Sequence, residues 1–203
     1  MDAYTLLNFG VYASFITGNT TSAGVRAAQK QFATAGHSLL PIPFFILGVV
    51  AASLLEHADE CRAPHRLSAI GGAMLLLDLA AVLAHGPQWL SISILSSAMG
   101  VVNTSVAKVG DQPVSLGFMT GNLNRLAKEV AKGMESQPER SPLGSRDAAW
   151  QHAGLLAALW VAFFSGSLLG AILAPQSSLW ALMLPAVALL GFAVRERFGA
   201  WRI

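Results

Sequence analysis

Charge is what this chain has least of. Asp, Glu, Lys and Arg together make up 12% of its 203 residues and hydrophobic residues 54%, and mean hydropathy is +0.54. So little polar surface excludes an ordinary soluble domain and points to a bilayer. Cysteine is nearly absent too: Cys61 stands alone, which excludes an intramolecular disulfide and leaves the redox compartment unread. The net charge of +2 offers no basic surface, and the aromatic residues lie inside apolar runs where they cannot stack on bases, so no nucleic-acid partner is expected. No Ser/His/Asp order, Walker loop or paired carboxylates stand out, so neither an enzyme nor a cofactor is expected. A basic n-region and a small-residue cleavage site are also missing, which argues against a signal peptide.

What the chain does have is apolar runs. Tyr4 to Ile16 is the first, and its 13 residues reach roughly 20 Å against a hydrocarbon core about 30 Å thick. It reads as a half-helix or as a span whose beginning is missing. Gly18 to Gly36 is polar and carries Arg26 and Lys30. Full spans are predicted over Ser38–Glu56, Leu67–Ala84, Trp89–Ala107, Ala153–Ala174 and Ser178–Val194. The third of these holds Ser96, Ser97, Asn103, Thr104 and Ser105, an unusual polar load. Between Lys108 and about Trp150 the chain is hydrophilic. There Leu123, Leu126, Val130 and Met134 fall at helical spacing with Asn124, Arg125, Lys128 and Lys132 opposite, the pattern of an amphipathic helix at a membrane interface. Gln137 to Asp147 reads as a loop.

One stretch occurs twice. Phe15-Ile16-Thr17-Gly18-Asn19-Thr20 returns as Phe118-Met119-Thr120-Gly121-Asn122-Leu123. Each copy ends an apolar run. Phe45-Ile46-Leu47-Gly48 with Ala52 likewise matches Phe163-Phe164-Ser165-Gly166 with Gly170. The expected fold is therefore all-α: a single integral membrane domain over 1–203, about six spans, built from repeats over about 1–86 and 87–203. Of the 13 Lys and Arg residues, 11 fall on one side of that arrangement, with only Arg26 and Lys30 opposite. The excess places the stretch 108–150 and the C-terminus in the cytoplasm. With three spans in each half, the second repeat crosses in the opposite sense to the first. Inverted repeats with broken helices are a common way for secondary transporters to build a central site.

Met1-Asp2-Ala3, Thr17-Gly18-Asn19, Ala98-Met99-Gly100 with Asn103, and Phe118 to Asn122 with Arg125 and Leu126 carry a resemblance. The chain resembles the YoaK-like bacterial membrane proteins, a family of unknown function, over essentially its whole length. The resemblance implies a polytopic protein of the bacterial inner membrane and supplies no substrate. Met1 stands where relatives usually carry the Val of a Gly-Tyr-Val-Asp-Ala-like start, so the first span is expected to be truncated.

Candidate site residues follow from chemistry. Asp78 lies mid-span, where a carboxylate costs about 2.5–3.5 kcal/mol on insertion scales and by default faces the bundle interior. It is expected to serve in proton coupling, the alternative being a packing role against Ser96, Ser97 or Asn103. Asn103 takes the position of Asp2 when the halves are aligned, and could line a shared cavity or bond between helices. Thr17, Gly18, Asn19, Thr120, Gly121 and Asn122 are expected to mark breaks where helices restart. Gly there would supply unusual backbone angles, while Thr and Asn cap the new helix or bind an anionic or polar substrate. Gly48 with Ala52 and Gly166 with Gly170 read as packing faces. Glu56, His57, Asp59, Glu60, Cys61 and His65 have the right atoms for a metal but no ligand spacing rule, so no metal is expected. Transport of a small molecule or ion is the leading expectation. The alternative is a membrane scaffold binding a partner or lipid. The small-residue faces serve equally within one bundle or in a homo-oligomer.

Overall fold

The computed structural model describes residues 1–58, 63–105, 108–109, 112–113, 119–134, 145–175 and 178–197. Among these residues helices dominate: α1 (Asp2–Phe9), α2 (Ile16–Ala28), α3 (Phe32–Leu39), α4 (Pro41–Ala58), α5 (Ala63–Leu83), α6 (Gln88–Ser105), α7 (Met119–Met134), α8 (Ser145–Leu173) and α9 (Ser178–Arg197). Two short strands, β1 (Lys108–Val109) and β2 (Gln112–Pro113), pair antiparallel between α6 and α7. The chain forms two compact units, Met1–Ala107 with Ser167–Ile203 and Lys108–Gly166, a cut that differs from the two sequence repeats.

In the first unit the expected run Tyr4–Ile16 is not one helix. Gly10 takes a left-handed conformation at φ 69°, and its N–H closes α1 on the Leu6 carbonyl at 2.9 Å. The chain then bends until α2 begins at Ile16. Pro41 opens α4 where its missing N–H costs nothing. The apolar stretch Phe32–His57, 26 residues long, begins six residues before the expected Ser38. α5 stops at His85, also left-handed at φ 55°, with the Gly86 N–H on the Ala81 carbonyl at 2.8 Å. α9 runs through Pro185, whose ring removes one helical hydrogen bond.

Small residues set the packing. A Cβ built on Gly48 would overlap the backbone of Ser97, and one on Gly100 would lie 2.9 Å from the Val49 nitrogen. α4 and α6 therefore meet backbone to backbone, and the Ser97 hydroxyl donates to the Phe44 carbonyl at 3.2 Å across the contact. α5 packs on α6 through Gly71, beside Val102, and on α9 through Gly72, beside Leu190. Tyr4, Leu75, Leu79, Leu95, Leu182 and Ala186 form the core where α1, α5, α6 and α9 meet.

Three apolar stretches are long enough to cross a bilayer among the described residues: Phe32–His57, Arg66–Leu83 and Ala148–Leu173. That is half the number of spans expected, for identifiable reasons. The first run is broken at Gly10, α6 is diluted by its serines, and the apolar part of α9 is the shorter Trp180–Val194. The three stretches are exposed rather than core-forming on much of their surface. Only 6% of the Ala148–Leu173 window is buried, against 39% of Arg66–Leu83. This is a membrane protein with a helical bundle.

In the second unit α7 begins at Met119, so it takes in the second triplet. Leu126 and Val130 are half-buried, Leu123 and Met134 exposed, and Arg125, Lys128 and Lys132 exposed. The Lys132 Nζ pairs with Glu129 at 2.7 Å. Gly133 lies against the Trp150 indole, where a Cβ would come within 2.7 Å of the ring. Most of the loop expected over 137–147 lies outside the described residues, and α8 is already helical from Ser145.

Candidate functional site

The bend between α1 and α2 is held by side chains. Any bend leaves backbone N–H groups without helical partners, and in an apolar setting each needs a substitute. Here three consecutive residues are provided for. The Tyr12 N–H donates to Asn19 Oδ1 at 2.9 Å, the Ala13 N–H to Thr5 Oγ1 at 3.1 Å and the Ser14 N–H to Asp2 Oδ1 at 2.7 Å. Asn19 also returns its Nδ2 to the Tyr12 carbonyl at 2.6 Å, and the Ser14 hydroxyl donates to Asp2 Oδ2 at 2.6 Å. Asp2 and Thr5 come from α1 and Asn19 from α2, so the bend is clamped from both ends.

This corrects the expected role of the first triplet. Thr17-Gly18-Asn19 lies inside the first turns of α2 and not at the break, and Phe15, at the N-terminal cap, makes no side-chain capping bond. Asn19 is too far into the helix to cap it, so it reaches back to the loop. The unusual backbone angle belongs to Gly10. Gly18 is helical, and its missing Cβ makes room for the Phe15 ring folded over it. Of the clamp residues, Asp2 is expected only as the counterpart of Asn103 beside a shared cavity, and Thr5 and Ser14 are not expected at all. Their signal was available as polar side chains flanking a Gly in an otherwise apolar run.

Beside the bend lies a cavity of about 470 Å³ lined by Gly10, Tyr12, Thr17, Asn19, Ser22 and Arg26, among others. Arg26 enters from the last turn of α2. Its Nη1 donates to Ser38 Oγ at 2.7 Å and to the Thr34 carbonyl at 3.3 Å, which ties α2 to α3.

Asp78 lies in the core of the same unit, completely buried on α5. The Ser91 hydroxyl approaches it without meeting hydrogen-bond geometry, and neither carboxylate oxygen has a partner among the described residues. Ser96 Oγ on α6 is likewise buried and unpartnered. Buried polar atoms are rarely left so, which marks these two side chains as chemically unusual. Asn103 is half-buried near the C-terminal end of α6. It follows Val102, which meets Gly71, and the seven residues from Gly71 to Asp78 separate Asp78 from Asn103 by roughly 10 Å along the helices. The two do not form one cluster.

The second triplet belongs to the other unit. Thr120 is exposed, Gly121 half-buried and Asn122 buried, with Asn122 Nδ2 3.7 Å from Met119 Sδ. The segment before it, 114–118, lies outside the described residues. Of the metal-like cluster, Asp59, Glu60, Cys61 and the His65 side chain also lie outside them. His57 Nδ1 is 2.7 Å from the Ser53 carbonyl. No group of three metal-ligating side chains occurs among the described residues.

A family model described as protein of unknown function DUF1275 matches residues 1–195. The UPF0700 transmembrane protein RA0705 of Rhizobium meliloti (strain 1021) is 29% identical over 189 residues, which span 93% of this chain and 76% of that protein. No solved structure matches.

Proposed function

The chain belongs to the DUF1275 family, and we propose that it acts there as a transporter of a small molecule or ion. The observation that carries this is Asp78. A carboxylate fully buried in a bilayer-length helix, with the Ser91 hydroxyl near it but no hydrogen bond of ordinary geometry to either oxygen among the described residues, has a high cost and, as packing glue, little return. Packing glue would be hydrogen-bonded. A group that takes up and releases a proton during a transport cycle accounts for its position. Ser91 on α6 supplies a neighbouring hydroxyl.

The rest of the reading rests on the sequence. Two inverted three-span repeats, the second with α6, α8 and α9 as its spans, would bring the two triplets to opposite sides of a bacterial inner membrane. The cation excess would set the C-terminus in the cytoplasm. The YoaK-like kinship is consistent with this placement. No catalytic step, cofactor or nucleic acid enters, and the bilayer is the one obligate partner.

The test is flux. In liposomes loaded with a pH-sensitive dye, the purified protein should acidify or alkalinise the lumen when one of a panel of small metabolites or ions is added outside. Asp78→Asn should abolish that change while the protein stays folded. An equal response from the variant would end the coupling role, and silence across the panel would end the transport reading.

A second reading is favoured by α7. Its exposed Arg125, Lys128 and Lys132 beside exposed Leu123 and Met134 suit an anionic lipid surface or a partner protein. A scaffold working through that helix would need no flux.

A further inference from the structure

We propose that the cavity between α1 and α2 binds a small ligand through an oxyanion group, a carboxylate or a phosphate, held by Arg26. This deepens the transport reading by naming a substrate class, and it rests on a separate set of residues from Asp78.

Charge comes first. Arg26 lines the cavity as a guanidinium, and among the described residues no carboxylate pairs with it. The nearest acid along the chain, Asp2, is not part of the lining and has both oxygens engaged by Ser14. The wall therefore holds a half-buried cation and no anion, so an incoming anion gains the whole of its attraction. Cations are repelled, and a purely apolar ligand would leave the guanidinium unsolvated.

Geometry comes second. One nitrogen of Arg26 is pinned to Ser38 and Thr34, which fixes the plane of the group, and its remaining N–H donors have no protein partner among the described residues. A guanidinium held in this way presents a flat fork of donors, the arrangement that matches two oxygens of a carboxylate or phosphate. Tyr12, Thr17 and Ser22 line the same cavity, and their hydroxyls make no protein hydrogen bond among the described residues. They are donors for the remaining oxygens. Asn19, with its amide spent on Tyr12, keeps the wall in place rather than touching the ligand. A volume of about 470 Å³ is within the range of small-molecule sites.

The ligand oxyanion has two sources, a soluble metabolite or a phospholipid headgroup, and both present the same chemistry to Arg26. The experiment is a thermal-shift and calorimetric titration of the purified full chain in detergent. The probes are phosphate, acetate, succinate and citrate at constant ionic strength against chloride, and separately short-chain phosphatidylglycerol. At least one probe should raise the melting temperature, and Arg26→Gln should weaken its binding at least tenfold. Because losing the Ser38 link could unfold that variant, Ser22→Glu is the decisive one. Its carboxylate stands one turn before Arg26, a stabilising spacing on a helix, so it should occupy the guanidinium, leave the unliganded protein as stable as before, and abolish binding. A shift from soluble anions assigns the ligand to metabolites, and a shift from the lipid alone assigns it to a headgroup. No shift with any probe, or a shift that persists in Ser22→Glu, overturns the site. Binding kept by Asp78→Asn in a protein without flux would preserve the site and reject transport. Flux without anion binding would do the reverse.

Discussion

Gly48 and Gly166 occupy the same place in the two copies of one motif, yet their surroundings are opposite. Gly48 is buried with the α6 backbone pressed against it, while Gly166 is exposed and a Cβ there meets nothing within 4 Å among the described residues. Their partners differ in the same sense. Ala52 is completely buried, whereas Gly170 has only Ala3 nearby, 3.7 Å from its would-be Cβ. The same small-residue spacing thus packs in one place and not in the other, and what decides is which helix lies across from it. The full-length α6 covers Gly48. Against the end of α8 the eight-residue α1 offers only Ala3.

The largest effect should come from the covered copy. At Gly48 a methyl group would meet the Ser97 carbonyl and not a side chain that can turn away. Gly48→Ala therefore forces α4 and α6 apart along their closest approach, at a cost of about 3 kcal/mol, the upper part of the overpacking range. The variant should melt well below wild type in detergent, and Gly100→Ala on the facing helix should do the same. Wild-type melting in both would mean that the two backbones are not in contact.

Next comes the clamp. Asn19→Ala leaves the Tyr12 N–H and carbonyl without their side-chain partner in a buried bend, a loss of about 2 kcal/mol. The effect should be local as well as global. Hydrogen exchange at the amides of residues 12 to 14 should accelerate more than exchange in α5, and unchanged protection there would remove Asn19 from the clamp.

Part of the fold is legible in the sequence, and the rest is hidden for physical reasons. Composition announced the membrane, and the first Thr-Gly-Asn triplet lies within a turn of the start of α2 at Ile16. Asp78 was legible as a carboxylate in an apolar run. The exact break was misplaced because two glycines lie eight residues apart and only backbone conformation reveals that Gly10, not Gly18, takes the left-handed angle. The clamp formed by Asp2, Thr5 and Ser14 depends on α1 folding back over the bend, a tertiary fact without a local pattern. The Arg26 cavity was hidden in a segment that read simply as polar. Nothing in the sequence says that Ser38 holds the guanidinium in place.

The smallest effect should come from the open copy. Gly166→Ala adds a methyl group that meets no neighbour and replaces a poor helix former by the best one. The variant should be as stable as wild type or more stable by up to about 1 kcal/mol. Set beside Gly48→Ala, that contrast would fix which copy packs within one chain. A destabilised Gly166→Ala would instead require another surface on α8 at that point. Size-exclusion chromatography of the same two samples would then decide its source: a wild-type dimer that falls to a monomer in Gly166→Ala would identify a second copy of the chain, the use of small-residue faces that one bundle alone does not call for.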